Sequence, residues 1–169
     1  MIARPIDLPR PGPGQESVWD YPRPPVVVAS DRHVRVAHRG TVIDDTCDAL
    51  RVLETAGAPV WYLAPAGVRL GLFRPSGGGA TLCEWKGLAA YLDLLLPDGT
   101  AIPRVAWRYE RPQPGYEALR GRLAFYAGRI DEVTVDGERV RPQPGGFYGG
   151  WVTDDVVGPF KGEPGTEGW

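Results

Sequence analysis

Apolar and polar residues alternate in short runs along most of this chain. His33-Val34-Arg35-Val36-Ala37-His38 alternates over six positions, Arg39-Gly40 supplies a turn, and Thr41-Val42-Ile43 resumes the pattern. A period of two sends successive side chains to opposite faces of a strand. Further runs at 50–55, 60–63, 68–73 and 80–85 predict more strands at short intervals. Asp98-Gly99 and Asp136-Gly137 are hairpin signals, because both positions of such turns reach positive φ at little cost. The second joins 133–135 to 138–140. Pro97 and Pro103 flank the first and direct it towards a sheet edge. Helix signals are confined to 46–53, two turns after an N-cap, and to 116–123.

Many short strands with frequent turns predict a mainly β, compact single domain. The expected form is two antiparallel sheets or an open barrel, with at most one or two short helices. Residues 1–25 are rich in proline and arginine, and each proline fixes φ and removes a donor. Residues 1–15 are therefore expected as a flexible arm and 16–169 as one β-rich domain. Val18-Trp19-Asp20-Tyr21 carries two large rings that should pack back onto the body. In the tail, Pro142-Gln143-Pro144-Gly145-Gly146-Phe147-Tyr148-Gly149-Gly150-Trp151 sets glycine pairs around three large rings. That pattern suits a segment whose backbone passes close over a sheet while its rings anchor it. Trp169 would be a last anchor.

Composition narrows the function classes. With 23 glycines and 18 prolines in 169 residues the chain approaches the composition of disorder, but six Trp, seven Tyr and four Phe argue for a packed protein. A net charge of −2, with arginines interleaved among acids, gives no electrostatic basis for binding nucleic acid. No 18-residue apolar run exists, and residues 1–14 lack the apolar core of a signal peptide, so neither a membrane partner nor export is expected. Cys47 and Cys83 then read as reduced thiols of a cytoplasmic protein.

Common catalytic signatures are missing. Cys47, Cys83, His33 and His38 lack the paired spacing of structural zinc sites, so no metal is expected. Neither phosphate-cradling glycine motif is present, and no cofactor is expected. Only three serines occur, none in a nucleophile elbow, and Cys83 reads as a small buried thiol. Asp44-Asp45 reads as a solvated strand-end pair. The pentapeptide Arg-Pro-Gln-Pro-Gly occurs at 111–115 and 141–145, but its flanks differ and it reads as coincidence.

Lysine usage is more informative. Of nineteen basic residues only Lys86 and Lys161 are lysine, both in the setting aromatic–Lys–Gly. A chain that otherwise uses arginine keeps lysine where a compact, flexible ammonium is needed. On a strand, Glu84 and Lys86 would share one face and Cys83 and Trp85 the other. Trp107 and Tyr109 share a face in the same way. Rings with polar handles suit a cleft for flat or sugar-like ligands. Lys161 is expected to hold the tail, by capping backbone carbonyls or pairing with a carboxylate, and Lys86 to be the functional lysine.

Several segments match a known family in order: Glu16-Ser17-Val18-Trp19-Asp20-Tyr21-Pro22, Arg51-Val52-Leu53-Glu54-Thr55, Cys83-Glu84-Trp85-Lys86-Gly87, Asp136-Gly137-Glu138 and the Pro-Gln-Pro-Gly-Gly-Phe-Tyr-Gly-Gly-Trp tail. Over 16–169 the chain resembles the bacterial DUF427 family, a domain of unknown function, and its tail is similar to the actinobacterial members. The resemblance implies a compact, mainly β domain, related to the β-tent (Mss4-like) architecture of two antiparallel sheets pinned at one end. Many proteins of that architecture bind zinc through paired C-x-x-C motifs, which this chain lacks. The family has carried a nucleotidyltransferase-like label that no residue here supports. Members often have paired prolines where this chain has Ala56-Gly57-Ala58-Pro59.

The expected function is a small-ligand-binding module whose aromatic pocket takes a carbohydrate or a nucleobase-like heterocycle. The ligand-binding set is Glu84, Trp85, Lys86, Trp107, Tyr109, Arg51, Tyr148 and Trp151. The alternatives are an enzyme using Glu84 or Glu54 as acid–base with Lys86 stabilising negative charge, and a partner-binding domain using the proline-rich arm.

Overall fold

In the computed structural model, which describes residues 4–169, the chain is mainly β and antiparallel. Three larger sheets carry the fold, with no closed barrel. The first pairs Val26–Ser30, Ala49–Leu53 and Val60–Leu63. The second runs Glu138–Arg139, Glu132–Val135, Val34–His38 and Thr41–Thr46. The third runs Ala124–Phe125, Ala101–Tyr109, Gly87–Leu95 and Phe73–Pro75, and Thr81–Cys83 also pairs with Gly87–Leu95. Two short pairs close the ends: Arg141–Pro142 against Trp151–Val152, and Glu16–Ser17 in parallel with Val156–Val157. Among the described residues no helix is long and apolar enough to cross a membrane.

Two of the three predicted turns are present with both positions at positive φ. Arg39 and Gly40 (φ 47° and 76°) and Asp136 and Gly137 (φ 51° and 80°) close two hairpins of the second sheet. The Asp98-Gly99 hairpin departs from expectation. It lies at the end of the two longest strands, Gly87–Leu95 and Ala101–Tyr109, at the centre of the third sheet. Pro103 is tolerated because the register slips between Ile102 and Ala106, where a missing donor costs no ladder bond.

The two helical expectations resolve differently. Residues 46–53 form a turn, in which the Asp48 amide donates to Thr46 Oγ1 (3.0 Å), and then the strand Ala49–Leu53. That strand pairs on both sides, which fixes it against the local helical alternative. Residues 116–123 keep one 3₁₀ turn, Glu117–Leu119. In the predicted strand at 68–73, Leu72 and Phe73 are consecutive and both buried, which an alternating strand cannot provide. Leu70–Leu72 forms a 3₁₀ turn and pairing starts at Phe73.

One strand separates two interiors. On Val60–Leu63, Trp61 and Leu63 face the main core with Val34, Ile43, Leu94 and Phe125. Val60 and Tyr62 face a second cluster with Val52, Tyr91, Trp107 and Tyr109. Gly87–Leu95 divides in the same way, Leu92 and Leu94 to the core and Ala89 and Tyr91 to the second cluster. A third cluster joins the chain ends: Val18, Trp19 and Tyr21 pack with Val156, Phe160 and Trp169. Trp19 Nε1 donates to the Pro159 carbonyl (2.9 Å), and its ring meets Trp169 edge-on at 4.8 Å. The aromatic segment therefore packs back as expected. Leu8 of the proline-rich arm touches the same cluster; residues 1–3 of that arm lie outside the described residues.

Candidate functional site

The second interior opens into a cavity of about 300 Å³, at the small end of the range for ligand pockets. Its floor comes from two sheets. Val52 and Tyr62 project from the first, and Ala89, Tyr91, Trp107 and Tyr109 from the third. Trp107 Nε1 donates to Tyr62 Oη (3.3 Å), with the rings edge-to-face at 6.3 Å, and Tyr62 lies 6.2 Å from Tyr109. Burial pushes the Tyr62 and Tyr109 phenols well above their ordinary pKa, so both remain neutral.

The rim comes from the turn 84–86 between Thr81–Cys83 and Gly87–Leu95. Because this is a turn, the expected division of Glu84 and Lys86 from Cys83 and Trp85 does not arise. All four line the cavity. Glu84 leans outward, its side chain 66% exposed and paired with Arg23 (3.4 Å) rather than with Lys86. Trp85 has a buried Nε1 without a hydrogen-bond partner.

The tail forms the opposite wall. Gln143 is buried and holds two segments: its Oε1 accepts from the Ala58 amide (3.0 Å) and its Nε2 donates to the Lys161 carbonyl (2.9 Å). Phe147, Tyr148 and Gly149 follow along the cavity. At Gly149 a Cβ would stand 2.0 Å from Trp107 Cη2, so only glycine lets the tail lie against that ring.

Both lysines of the chain reach this cavity. Each is 8% exposed, although lysine is rarely buried without a partner. Lys161 Nζ lies 3.5 Å from Glu54 Oε2 and 4.8 Å from the Tyr148 ring. Burial lowers its pKa; Glu54 opposes that shift, and Arg23 and Lys86 add to it. Lys86 has no carboxylate within 4.0 Å of its Nζ among the described residues. Arg23 contacts Glu54 (3.9 Å) as well as Glu84. The wall thus carries three cations against two carboxylates.

The repeated pentapeptide turns out to have a structural use. The Gln113 amide donates to the Lys86 carbonyl (3.0 Å), and Gln143 of the second copy donates to the Lys161 carbonyl. Each copy braces one aromatic–Lys–Gly segment.

Six of the eight expected ligand-binding residues line the cavity: Glu84, Trp85, Lys86, Trp107, Tyr109 and Tyr148. Two do not. Arg51 alternates with Val52 on its strand, so it faces away, pairing with Glu16 and lying 5.5 Å from the Trp61 ring. Trp151 is fully buried in the main core, stacked on Trp61 at 5.9 Å with Nε1 donating to the Phe125 carbonyl. Lys161 does pair with a carboxylate as expected, but it also lines the same cavity as Lys86 rather than sitting apart. Arg23, Tyr62, Tyr91 and Gln143 also line the cavity, and of these the local pattern offers only Tyr62 as a cleft ring. The face of Trp61-Tyr62 that each ring takes depends on pairing that the local pattern does not encode.

Cys47 and Cys83 are both free, and no group of three or more His, Cys, Asp or Glu suited to a metal ion occurs among the described residues.

These features define a mainly β domain with one aromatic, lysine-bearing cavity between two of its sheets. Residues 26–136 match the family described as Domain of unknown function (DUF427), and the chain belongs to that family. No curated protein matches the chain.

Proposed function

We propose that the domain binds a small ring-bearing molecule, a sugar or nucleobase-like heterocycle, that carries an anionic group. The observation that carries this reading is Lys86: a largely buried lysine whose ammonium has no carboxylate partner among the described residues, in a cavity walled by Trp85, Trp107 and Tyr109. An ammonium at the wall of an aromatic cavity, free of a carboxylate, is suited to pair with a bound carboxylate or phosphate. The rings supply stacking area, and the unpartnered Trp85 Nε1 offers a donor. A small-molecule partner suits the cavity's size, and the free thiols suit a reducing compartment such as the cytoplasm.

Tryptophan fluorescence titrations with nucleosides, sugars and their phosphates test the reading. Phosphates should bind below about 1 mM, worth ~4 kcal/mol, and more tightly than their neutral parents. Lys86→Met should erase that preference. Equal, weaker-than-millimolar binding throughout would rule it out. As for catalysis, Glu84 points outward, and Glu54, 18% exposed and beside Lys161, is the better-placed acid–base group.

A further inference from the structure

Burial and a neighbouring cation make a lysine nucleophilic, and a nearby proton acceptor can relay its protons. All three meet at Lys161. Its Cε runs close against Gly57, where a Cβ would stand 3.3 Å away, so the stem is confined. Its Nζ has Glu54 at 3.5 Å, and Lys86 and Arg23 line the same cavity. A lysine whose only role was to anchor the tail would have no need of a second lysine facing the same cavity.

We infer that Lys161 is a carbonyl-reactive amine, which condenses with an aldehyde or ketone on a small anionic ligand while Lys86 holds the anionic group. The class is a 2-oxo acid or an aldehyde bearing a carboxylate or phosphate. Glu54 takes a proton from the Lys161 ammonium, directly or through one water. The nitrogen lone pair then forms a C–N bond to the carbonyl carbon, and the C=O π pair moves to oxygen. That oxygen receives the proton held by Glu54, and Glu54 takes a second proton from nitrogen, giving a carbinolamine. Glu54 returns its proton to the hydroxyl, the C–O bond breaks, and water leaves. One ammonium and one carbonyl thus give one protonated imine and one water, with the carboxylate restored and no redox change. Burial favours the neutral amine that starts the sequence.

The inference rests on reading the cavity as a ligand site, and the two are separable by experiment. The whole chain has only three amines: Lys86, Lys161 and the α-amino group. At pH 7 an ordinary lysine is neutral in roughly one molecule in a few thousand and an α-amino group in roughly one in ten. An unperturbed lysine should therefore react more slowly than the terminus. The protein is incubated at pH 7 with 4-carboxybenzaldehyde and sodium cyanoborohydride, and adducts are located by peptide mass mapping. Lys161 should be modified at least tenfold faster than either other amine, and faster by 4-carboxybenzaldehyde than by benzaldehyde. Glu54→Gln should slow the reaction several-fold, and Lys161→Arg should abolish the cavity adduct. Modification led by the α-amino group or by Lys86, or equal at all three, overturns the inference. Fluorescence quenching by benzoate, which has no reactive carbonyl, reads binding alone. Benzoate binding without Lys161 trapping leaves the binding site and removes the amine chemistry. The absence of both removes both.

Discussion

Lys161 and Glu54 stand 3.5 Å apart across the join between the C-terminal tail and the end of the strand Ala49–Leu53, with side chains only 10% and 18% exposed. The pair closes one wall of the cavity. It also ties the last part of the chain to the segment that follows that strand, where the Lys161 amide donates to the Ala56 carbonyl (2.7 Å).

Removing one partner leaves the other charge stranded. Glu54→Leu should cost about 3 kcal/mol of stability in urea unfolding, and Lys161→Met a similar amount. The double variant should fall short of their sum by at least ~1 kcal/mol. Strictly additive losses would mean that the two side chains do not act as a pair.

Gly149→Ala places a methyl 2.0 Å from Trp107 Cη2, so the ring or the tail must move. Overpacking of this kind costs about 1–3 kcal/mol. Tryptophan emission should change with it, and ligand-induced quenching should weaken. An unchanged spectrum would show that the tail does not lie on Trp107.

Asp44 predicts a pH dependence. It is 1% exposed, its Oδ2 has no partner, and burial raises its pKa from 3.8 to about 6. Between those values the unfolded chain ionises while the folded one holds its proton, so this group makes stability fall as pH rises. The loss is complete above about pH 6 and amounts to at most about 3 kcal/mol. Asp44→Asn should therefore raise Tm at pH 7.5 and leave it nearly unchanged at pH 3.5. A gain of the same size at both values would assign the effect to packing.

The tryptophans should separate by role. Trp151→Ala removes a ring stacked in the core and should cost about 3–5 kcal/mol. Trp85→Ala, at the partly exposed rim, should cost far less and yet weaken ligand binding at least tenfold. Comparing unfolding midpoints with fluorescence titrations for the two variants decides this.

Much of this was legible in the sequence. Alternation and turn chemistry located Val34–His38, Val60–Leu63 and the Asp136-Gly137 hairpin, because period and positive φ are local properties. The rare aromatic–Lys–Gly setting of Lys86 singled out one residue that lines the cavity. What local pattern could not supply was which face of each strand meets which interior. Arg51 and Val52 are adjacent on one strand, and only pairing with Val26–Ser30 and Val60–Leu63 decides that Val52 looks into the cavity. Trp151 and Tyr148 are three residues apart in one glycine-rich tail. The former is locked beneath Trp61 and the latter lies over Lys161, a division made by tertiary packing. The same limit hid the joint position of the two lysines, which are far apart in sequence.

The family match covers residues 26–136, whereas Gln143, Tyr148, Gly149 and Lys161 all lie beyond it. The matched part contributes the ring-lined floor and Lys86. The tail contributes the roof, the second amine and half of the bracing. Floor and roof thus come from stretches of sequence on either side of residue 136, and the cavity is complete only when both are folded together.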